Sequence, residues 1–348
     1  MILNDLLKRI SEKKKKLDSI QPFKKKAIKS LEEWLRVELT YSSNAIEGNT
    51  LTRFETAEVL EKGISAVISG KALRDQLEAV NHAQAIEFIK KLAKKRKYHT
   101  EITEADINAI HRIILTRIID ESAGKYRESE IFVRGSSVEF PQPVQVPYLM
   151  REFIRWISVQ KKTHPVLIAA EAHYRLVSIH PYIDGNGRTA RLLMNLILIV
   201  NGYPMAVIRA EERTKYLSLL EQAQLKNYLN PYYRFIGVSV ERSLDAYINA
   251  VDGKPVISVI AETEKKKLKK FTPDTYAELL KIGELAKETD ETIHTLRYWT
   301  KEELLKVSGY TEGGYQLYHP DMIKRAKDIR RLQSEKRLTL AEIKKLFV

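Results

Sequence analysis

Leu192 to Val200, broken only by Asn195, is the longest apolar stretch of the chain, and Asn201-Gly202 directly after it reads as a helix stop. A helix apolar on every side must be covered on every side, so this one is a fully buried core helix. It falls well short of the roughly 20 residues needed to span a bilayer. The segment feeding into it is equally constrained. His180-Pro181-Tyr182-Ile183-Asp184-Gly185-Asn186-Gly187-Arg188-Thr189-Ala190-Arg191 sets a proton acceptor, a carboxylate, a glycine loop and two guanidinium groups at one turn-to-helix junction. Val166 to Val177 reads as a helix delivering His180 to its C-terminal end, and Arg188 to Val200 as the next helix. The loop Asp184-Gly185-Asn186-Gly187 therefore lies at a helix N-terminus, where free backbone N–H groups and the helix dipole favour an anion. A triphosphate fits that geometry. Arg188 and Arg191, three apart, emerge on one face and can clamp β- and γ-phosphates. Asp184 is a hard oxygen ligand suited to Mg²⁺, and His180 can accept a proton from a hydroxyl near neutral pH. Together they point to in-line attack by a hydroxyl on an α-phosphate. His173, seven residues earlier on the same face as His180, reads as a packing or supporting residue.

At 348 residues the chain has room for two or more domains. With no cysteine it has no disulfide and no cysteine zinc site, which suits a reducing compartment and makes cytoplasm the expected location. The first residues carry charge where a signal peptide would be apolar, so a soluble protein without membrane association is expected. The formal net charge is +14. Residues 1–30 hold 10 Lys/Arg against 3 Asp/Glu, and Lys90, Lys91, Lys94, Lys95, Arg96 and Lys97 add a second run. Both read as solvated faces.

Apolar residues recur at helical spacing from Leu3 to Ile20, Leu31 to Leu39, Phe54 to Leu60, Leu77 to Leu92 and Ala105 to Ile119, so the first 250 residues are mostly α-helical. Ile131, Phe132, Val133, Arg134, Gly135, Ser136, Ser137 and Val138 break the pattern and read as a β-hairpin. Prolines 141, 143 and 147 then impose extended chain before a helix from Leu149 to Val159. The shift to Asp-Gly, Lys-Pro and a lysine run between 251 and 273 marks a joint between domains.

HPYIDGNGRTAR resembles the Fic family signature HPFx[D/E]GNGRxxR, departing only by Tyr182 for Phe. Further resemblance lies in GKALRDQLEAVNHAQA at 70–85, AGKYR at 123–127 and HPVLIAAEAHYRLVSIHP at 164–181, and it covers roughly residues 1–250. It implies transfer of AMP from ATP to a Ser, Thr or Tyr hydroxyl of a target protein. His180 would be the base, Asp184 the Mg²⁺ ligand, Gly185 and Gly187 backbone donors, Asn186 an α-phosphate holder, and Arg188 and Arg191 the phosphate clamps. The hairpin, Ile131 to Ser136, resembles the family's flap, which aligns a target backbone by strand addition. A homodimer is also implied. Ser43-Asn44-Ala45-Ile46-Glu47-Gly48 resembles the family's inhibitory helix motif [S/T]xxxE[G/N], in which Glu47 would occupy Arg191. On spacing alone, the same residues read equally as a helix end with Gly48-Asn49 as its cap.

Residues 281–318, continuing through Leu340 to Leu346, resemble the DNA-binding head of MerR-type regulators: a short helix from Ile282, a turn at 289–291, a second helix with Thr295, Arg297 and Tyr298 for the major groove, then a wing. The family's turn glycine is Asp290 here, its wing Arg is Gln316, and the sequence stops at Val348 before the family's long dimerisation helix. Residues 271–348 hold 14 Lys/Arg against 13 Asp/Glu, a small excess for phosphate contacts. The module binds DNA, or docks a protein or another copy of the chain.

The expected architecture is thus mainly α: an N-terminal helical region with the inhibitory motif (1–90), an all-helical Fic-like core with a small hairpin flap (91–250), a linker (251–273), and a winged helix-turn-helix (274–348). The leading function is an ATP- and Mg²⁺-dependent protein AMP-transferase held down by Glu47. Alternatives are a nucleotide-sensing DNA-binding regulator, and the same fold transferring UMP or removing AMP.

Overall fold

The computed structural model describes residues 3–20, 25–66, 68–132, 137–254, 269–271, 279–302, 304–311, 316–335 and 338–346. The chain divides into two compact units, Met1–Ile260 and Ala261–Val348. The first is helical: α1 (Leu3–Ser19), α2 (Lys25–Ile46), α3 (Arg53–Lys62), α4 (Leu73–Lys95), α5 (Glu104–Leu115), α6 (Val146–Val159), α7 (Pro165–Ile179), α8 (Asn186–Val200), α9 (Arg213–Lys226) and α10 (Asn230–Val251). As its composition requires, α8 lies at the centre, with Leu192 to Leu198 all buried and α7, α4 and α5 packed around it.

Much of the N-terminal region shares that core, Leu6, Ile10, Leu35 and Ile46 belonging to the same buried cluster as Leu196 and Ile236, while Leu51, Val59, Ala66, Ile68 and Ala79 form a small cluster of their own. α1 approaches α10 so closely at Gly237 that a Cβ there would sit 2.8 Å from the Leu6 side chain. Part of the basic N-terminal face is paired, not merely solvated. Arg9 makes two 3.0 Å bonds to Glu241, and Lys13 reaches Asp245 at 2.7 Å.

Two boundaries differ from the periodicity. α5 ends at Leu115 and not Ile119, because Arg117 turns to φ 63° and the N–H groups of Ile118 and Ile119 both fold back to the Leu115 carbonyl. α6 begins at Val146, with Pro147 inside its first turn, where a missing N–H costs nothing.

In the second unit a four-stranded sheet of order β1-β3-β4-β2 is built from β1 (Lys269–Phe271), β2 (Leu280–Lys281), β3 (Val307–Thr311) and β4 (Gln316–Tyr318). β1 runs parallel to β3, so the last part of the stretch read as a joint is an edge strand. Helices α11 (Ile282–Thr289), α12 (Ile293–Lys301), α13 (Asp321–Glu335) and α14 (Leu340–Leu346) enclose a small core of Leu285, Leu296, Trp299, Tyr318, Ile329 and Ile343. Asp290 takes the left-handed conformation, φ 56°, at the end of α11, which Asp adopts more readily than most residues. The turn thus forms without its glycine. Gln316 accepts a 2.8 Å bond from the Tyr318 hydroxyl. Among the described residues, no helix is long and apolar enough to cross a membrane.

Candidate active site

His180 ends α7 in the left-handed conformation, φ 50°, its own N–H bonding the Leu176 carbonyl. This non-glycine strain turns the chain sharply into the loop. The imidazole Nδ1 lies 3.1 Å from the Val177 carbonyl, which can only accept, so Nδ1 carries the proton and Nε2 keeps a lone pair. Burial pushes the group down to about 4; the Val177 bond, Glu47 and Asp184 oppose that shift, and Arg127 reinforces it. Phe140 covers the ring at 4.4 Å between centroids. Arg127, itself buried, donates Nε to the His180 carbonyl at 2.8 Å, while its backbone N–H bonds the Pro181 carbonyl at 2.9 Å.

The following turn is fastened from two sides. Tyr182 is fully buried, stacked on His111 at 3.6 Å, and donates its hydroxyl to Asn108 at 2.7 Å. The swap of Tyr for Phe therefore adds a bond to the packing role. His111 Nε2 donates to the Asp184 carbonyl at 2.9 Å, and its Nδ1 accepts the Gly124 N–H at 2.9 Å. Gly185 adopts φ 76°, which strains any residue with a side chain, and a Cβ there would press on Ile114 at 3.3 Å. The Asn186 Oδ1 accepts the Tyr182 N–H at 2.9 Å and its Nδ2 donates to the Tyr182 carbonyl at 2.7 Å, so this buried amide clasps the loop.

Asp184 opens toward solvent but is held by the Gly185 N–H, by Arg188 at 3.2 Å and by Arg74 at 2.8 Å. Burial would raise its pKa; the guanidinium groups and the Gly185 bond outweigh this and hold the carboxyl below its usual range. Arg188 is buried with its Nη1 ion-paired to Glu78 at 3.1 Å, and its Nε has no hydrogen-bond acceptor among the described residues. Such orphaned donors are costly unless something else satisfies them.

Arg191, one turn on, is also buried. It donates to the Ser43 hydroxyl at 2.9 Å, the Ser43 carbonyl at 2.8 Å and Glu47 Oε1 at 2.7 Å. In the Ser43–Glu47 segment α2 does end at Ile46 with Gly48 at φ 99°, and that ending aims Glu47 at Arg191. Glu47 Oε1 also lies directly against the Gly187 backbone. Asn49 Nδ2 ties the turn to Glu78 at 2.9 Å.

The structure thus assembles Ser43, Glu47, Asp184, Gly185, Gly187, Arg188 and Arg191 in one place. Arg74, Glu78, Arg127 and His111 join them without having been singled out. The i, i+4 pair Arg74–Glu78 was visible in sequence, but its contact with Asp184 and Arg188 was not. Of the expected flap, Ile131 and Phe132 are in no strand, Phe132 is 90% exposed, and Ser137 donates its N–H to Glu221 at 3.2 Å. Val133, Arg134, Gly135 and Ser136 lie outside the described residues. In the second unit Thr295 is engaged in the cap of α12, bonding Thr292, whereas Arg297 and Tyr298 are exposed.

Residues 101–198 match the sequence profile described as Fic/DOC family, and residues 280–347 that of the MerR HTH family regulatory proteins. A Fic domain containing signaling protein from Bacteroides thetaiotaomicron superposes with TM-score 0.64 at 30% identity, covering 72% of this chain and 98% of that one. The chain belongs to the Fic/DOC family. Fic-1 of C. elegans is similar at 31% identity and TM-score 0.64, covering 72% and 73% of the two chains. Protein adenylyltransferase Fic of Drosophila persimilis is 36% identical over 229 residues, 65% of this chain and 44% of that protein. The chain therefore spans less than half the length of the curated Fic relatives it matches.

Proposed function

We propose that the chain is a protein AMP-transferase restrained by its own Glu47. The observation that carries this reading is His180: its Nδ1 proton is fixed on Val177, leaving a neutral Nε2 at the entrance to the α8 loop. A target hydroxyl attacks the α-phosphorus of ATP; the new bond is O–P, the bond broken is to the β-bridging oxygen, pyrophosphate leaves, and Nε2 takes the hydroxyl proton. The N–H groups at the start of α8 and the Arg188 guanidinium, whose Nε has no acceptor among the described residues, are suited to phosphate oxygens. Arg191 meets the distal phosphates once Glu47 withdraws. Asp184 fits Mg²⁺ only as a single partly exposed carboxylate, since no group of three metal-binding side chains exists among the described residues. The ion would arrive on the nucleotide, neutralise phosphate charge and draw Asp184 from Arg74.

The target offers a Ser, Thr or Tyr hydroxyl. Its backbone would pair with the segment from Ile131 to Ser136 by strand addition, as the family resemblance implies. A homodimer in the cytoplasm is the accompanying expectation, tested by light scattering and fractionation. For the second unit we infer DNA binding through Arg297 and Tyr298 on α12. The profile match and the exposure of both side chains support it.

The test is intact-protein mass spectrometry of wild type, Glu47→Gly and Glu47→Gly/His180→Ala with Mg²⁺ and ATP, UTP, GTP or CTP. An AMP adduct in Glu47→Gly alone is expected. A UMP adduct, or loss of AMP from a modified target, replaces the donor or the direction; no adduct with any nucleotide, target or donor favours a nucleotide-sensing DNA-binding regulator.

A further inference from the structure

Charges of alternating sign close a ring at the start of α8. Asp184 accepts from Arg188 Nη2 at 3.2 Å and from Arg74 Nη2 at 2.8 Å. Across the ring, Glu78 Oε1 accepts from Arg74 Nε at 3.2 Å and is ion-paired with Arg188 Nη1 at 3.1 Å. Asp184 and Arg188 belong to the loop and helix of the signature, whereas Arg74 and Glu78 stand one turn apart on α4. Glu78 has a further partner, since its Oε2 accepts Asn49 Nδ2 at 2.9 Å in the turn that follows Glu47.

The ring has an exposed half and a buried half. The side chains of Arg74 and Asp184 are 55% and 34% exposed, those of Arg188 and Glu78 only 2% and 9%. Solvent screens the Arg74–Asp184 pair, so its members part at little cost. The Arg188–Glu78 pair is different, because removing one partner of a buried pair strands the other charge away from water. When Asp184 turns to a cation carried by the nucleotide, Glu78 is the carboxylate that stays with Arg188. The Arg188 Nε, which has no acceptor among the described residues, is then left for a phosphate oxygen.

We infer that Glu78 is a positioning residue, the resident counter-charge that keeps the Arg188 guanidinium at the loop while Asp184 changes partner. This rests on the transferase reading for the nucleotide that Arg188 meets, whereas the hold of Glu78 on Arg188 stands on the ring alone. Arg74 is the member that gives way. Through Glu78, α4 completes a phosphate site that the signature segment does not complete by itself.

Two measurements on the full chain test it. In the Glu47→Gly background, Glu78→Gln keeps the shape and an oxygen for Asn49 but loses the charge. Calorimetry is expected to show ATP binding weakened roughly tenfold, the consequence of losing one buried contact to a charged group, while AMP, which lacks the distal phosphates, changes less than about twofold. Arg74→Gln, on the exposed side, is expected to cost ATP binding less than about threefold. Equal weakening of ATP and AMP in Glu78→Gln, no weakening of either, or a loss in Arg74→Gln as large as in Glu78→Gln overturns the positioning role. The second measurement needs no nucleotide. In urea unfolding, Glu78→Gln combined with Arg188→Gln is expected to lose less stability than the two single variants added together, because the second substitution removes the stranded charge. Additive losses overturn the hold of Glu78 on Arg188. If Glu47→Gly itself binds no ATP, the transferase reading fails and the unfolding cycle alone decides the pair.

Discussion

Replacing Glu47 with Gly removes one 2.7 Å ion pair and leaves Arg191 bonded to Ser43. A hydrogen bond to a charged group contributes about 1.5–3 kcal/mol. Here the guanidinium is 5% exposed but the Glu47 side chain is 37% exposed, so solvent screening pulls the value toward that of a surface pair. A contribution of about 1–2 kcal/mol is the physical expectation, and a γ-phosphate must displace it before binding productively. Glu47→Gly should therefore raise the rate of AMP transfer at sub-saturating ATP by roughly 5- to 30-fold. Glu47→Gln keeps the bulk beside Gly187 but loses the charge, and should fall between the two. The assay is the initial rate of adduct formation by mass spectrometry from low to saturating ATP. Equal rates for wild type and Glu47→Gly across that range would refute the reasoning, since the carboxylate would then stand outside the path of the phosphates.

Acid should destabilise the protein through its buried histidines. Burial lowers His82 and His173 to about 3, and His111 and His180 to about 4. Folded values below the unfolded 6.5 mean that the unfolded chain binds protons first, so stability is lost as pH falls from about 6.5 toward 3–4, by about 1.4 kcal/mol per unit for each group; a melting temperature flat over pH 4.5–7 would contradict this. Transferase activity of Glu47→Gly should rise as His180 loses its proton near pH 4 and stay level through neutrality, checked by a pH–rate profile. Asn186→Ala should destabilise the loop by about 1–3 kcal/mol by leaving the Tyr182 N–H and carbonyl unpaired, read as a drop in the unfolding free energy in urea. Arg297→Ala should weaken DNA binding by the second unit in fluorescence anisotropy and, if Arg297 meets a phosphate, lower the salt slope by about 1.

Much of the candidate site was legible because it is local. Twelve consecutive residues carry His180, the loop and both arginines, and helix periodicity with the apolar run 192–200 placed them at a buried helix N-terminus. Helix interiors were read better than helix ends, since Arg117 and Pro147 act through single-residue geometry that periodicity averages over. The contact of Glu47 with Arg191 was legible only by resemblance. Its spacing describes a helix end, which it also is.

The sequence by itself determined that α8 is buried, that a glycine loop precedes it and that His180 stands before the loop, because these follow from hydrophobic period and backbone chemistry within one segment. Only tertiary structure decided which partners the charges take. Arg74 and Asp184 are 110 positions apart, Arg191 and Glu47 144, and Tyr216 and His173 43. It also turned Asn186 onto Tyr182 and left Arg188 Nε without a hydrogen-bond acceptor among the described residues. A side chain's partner depends on how separate helices pack, and no local pattern encodes that distance.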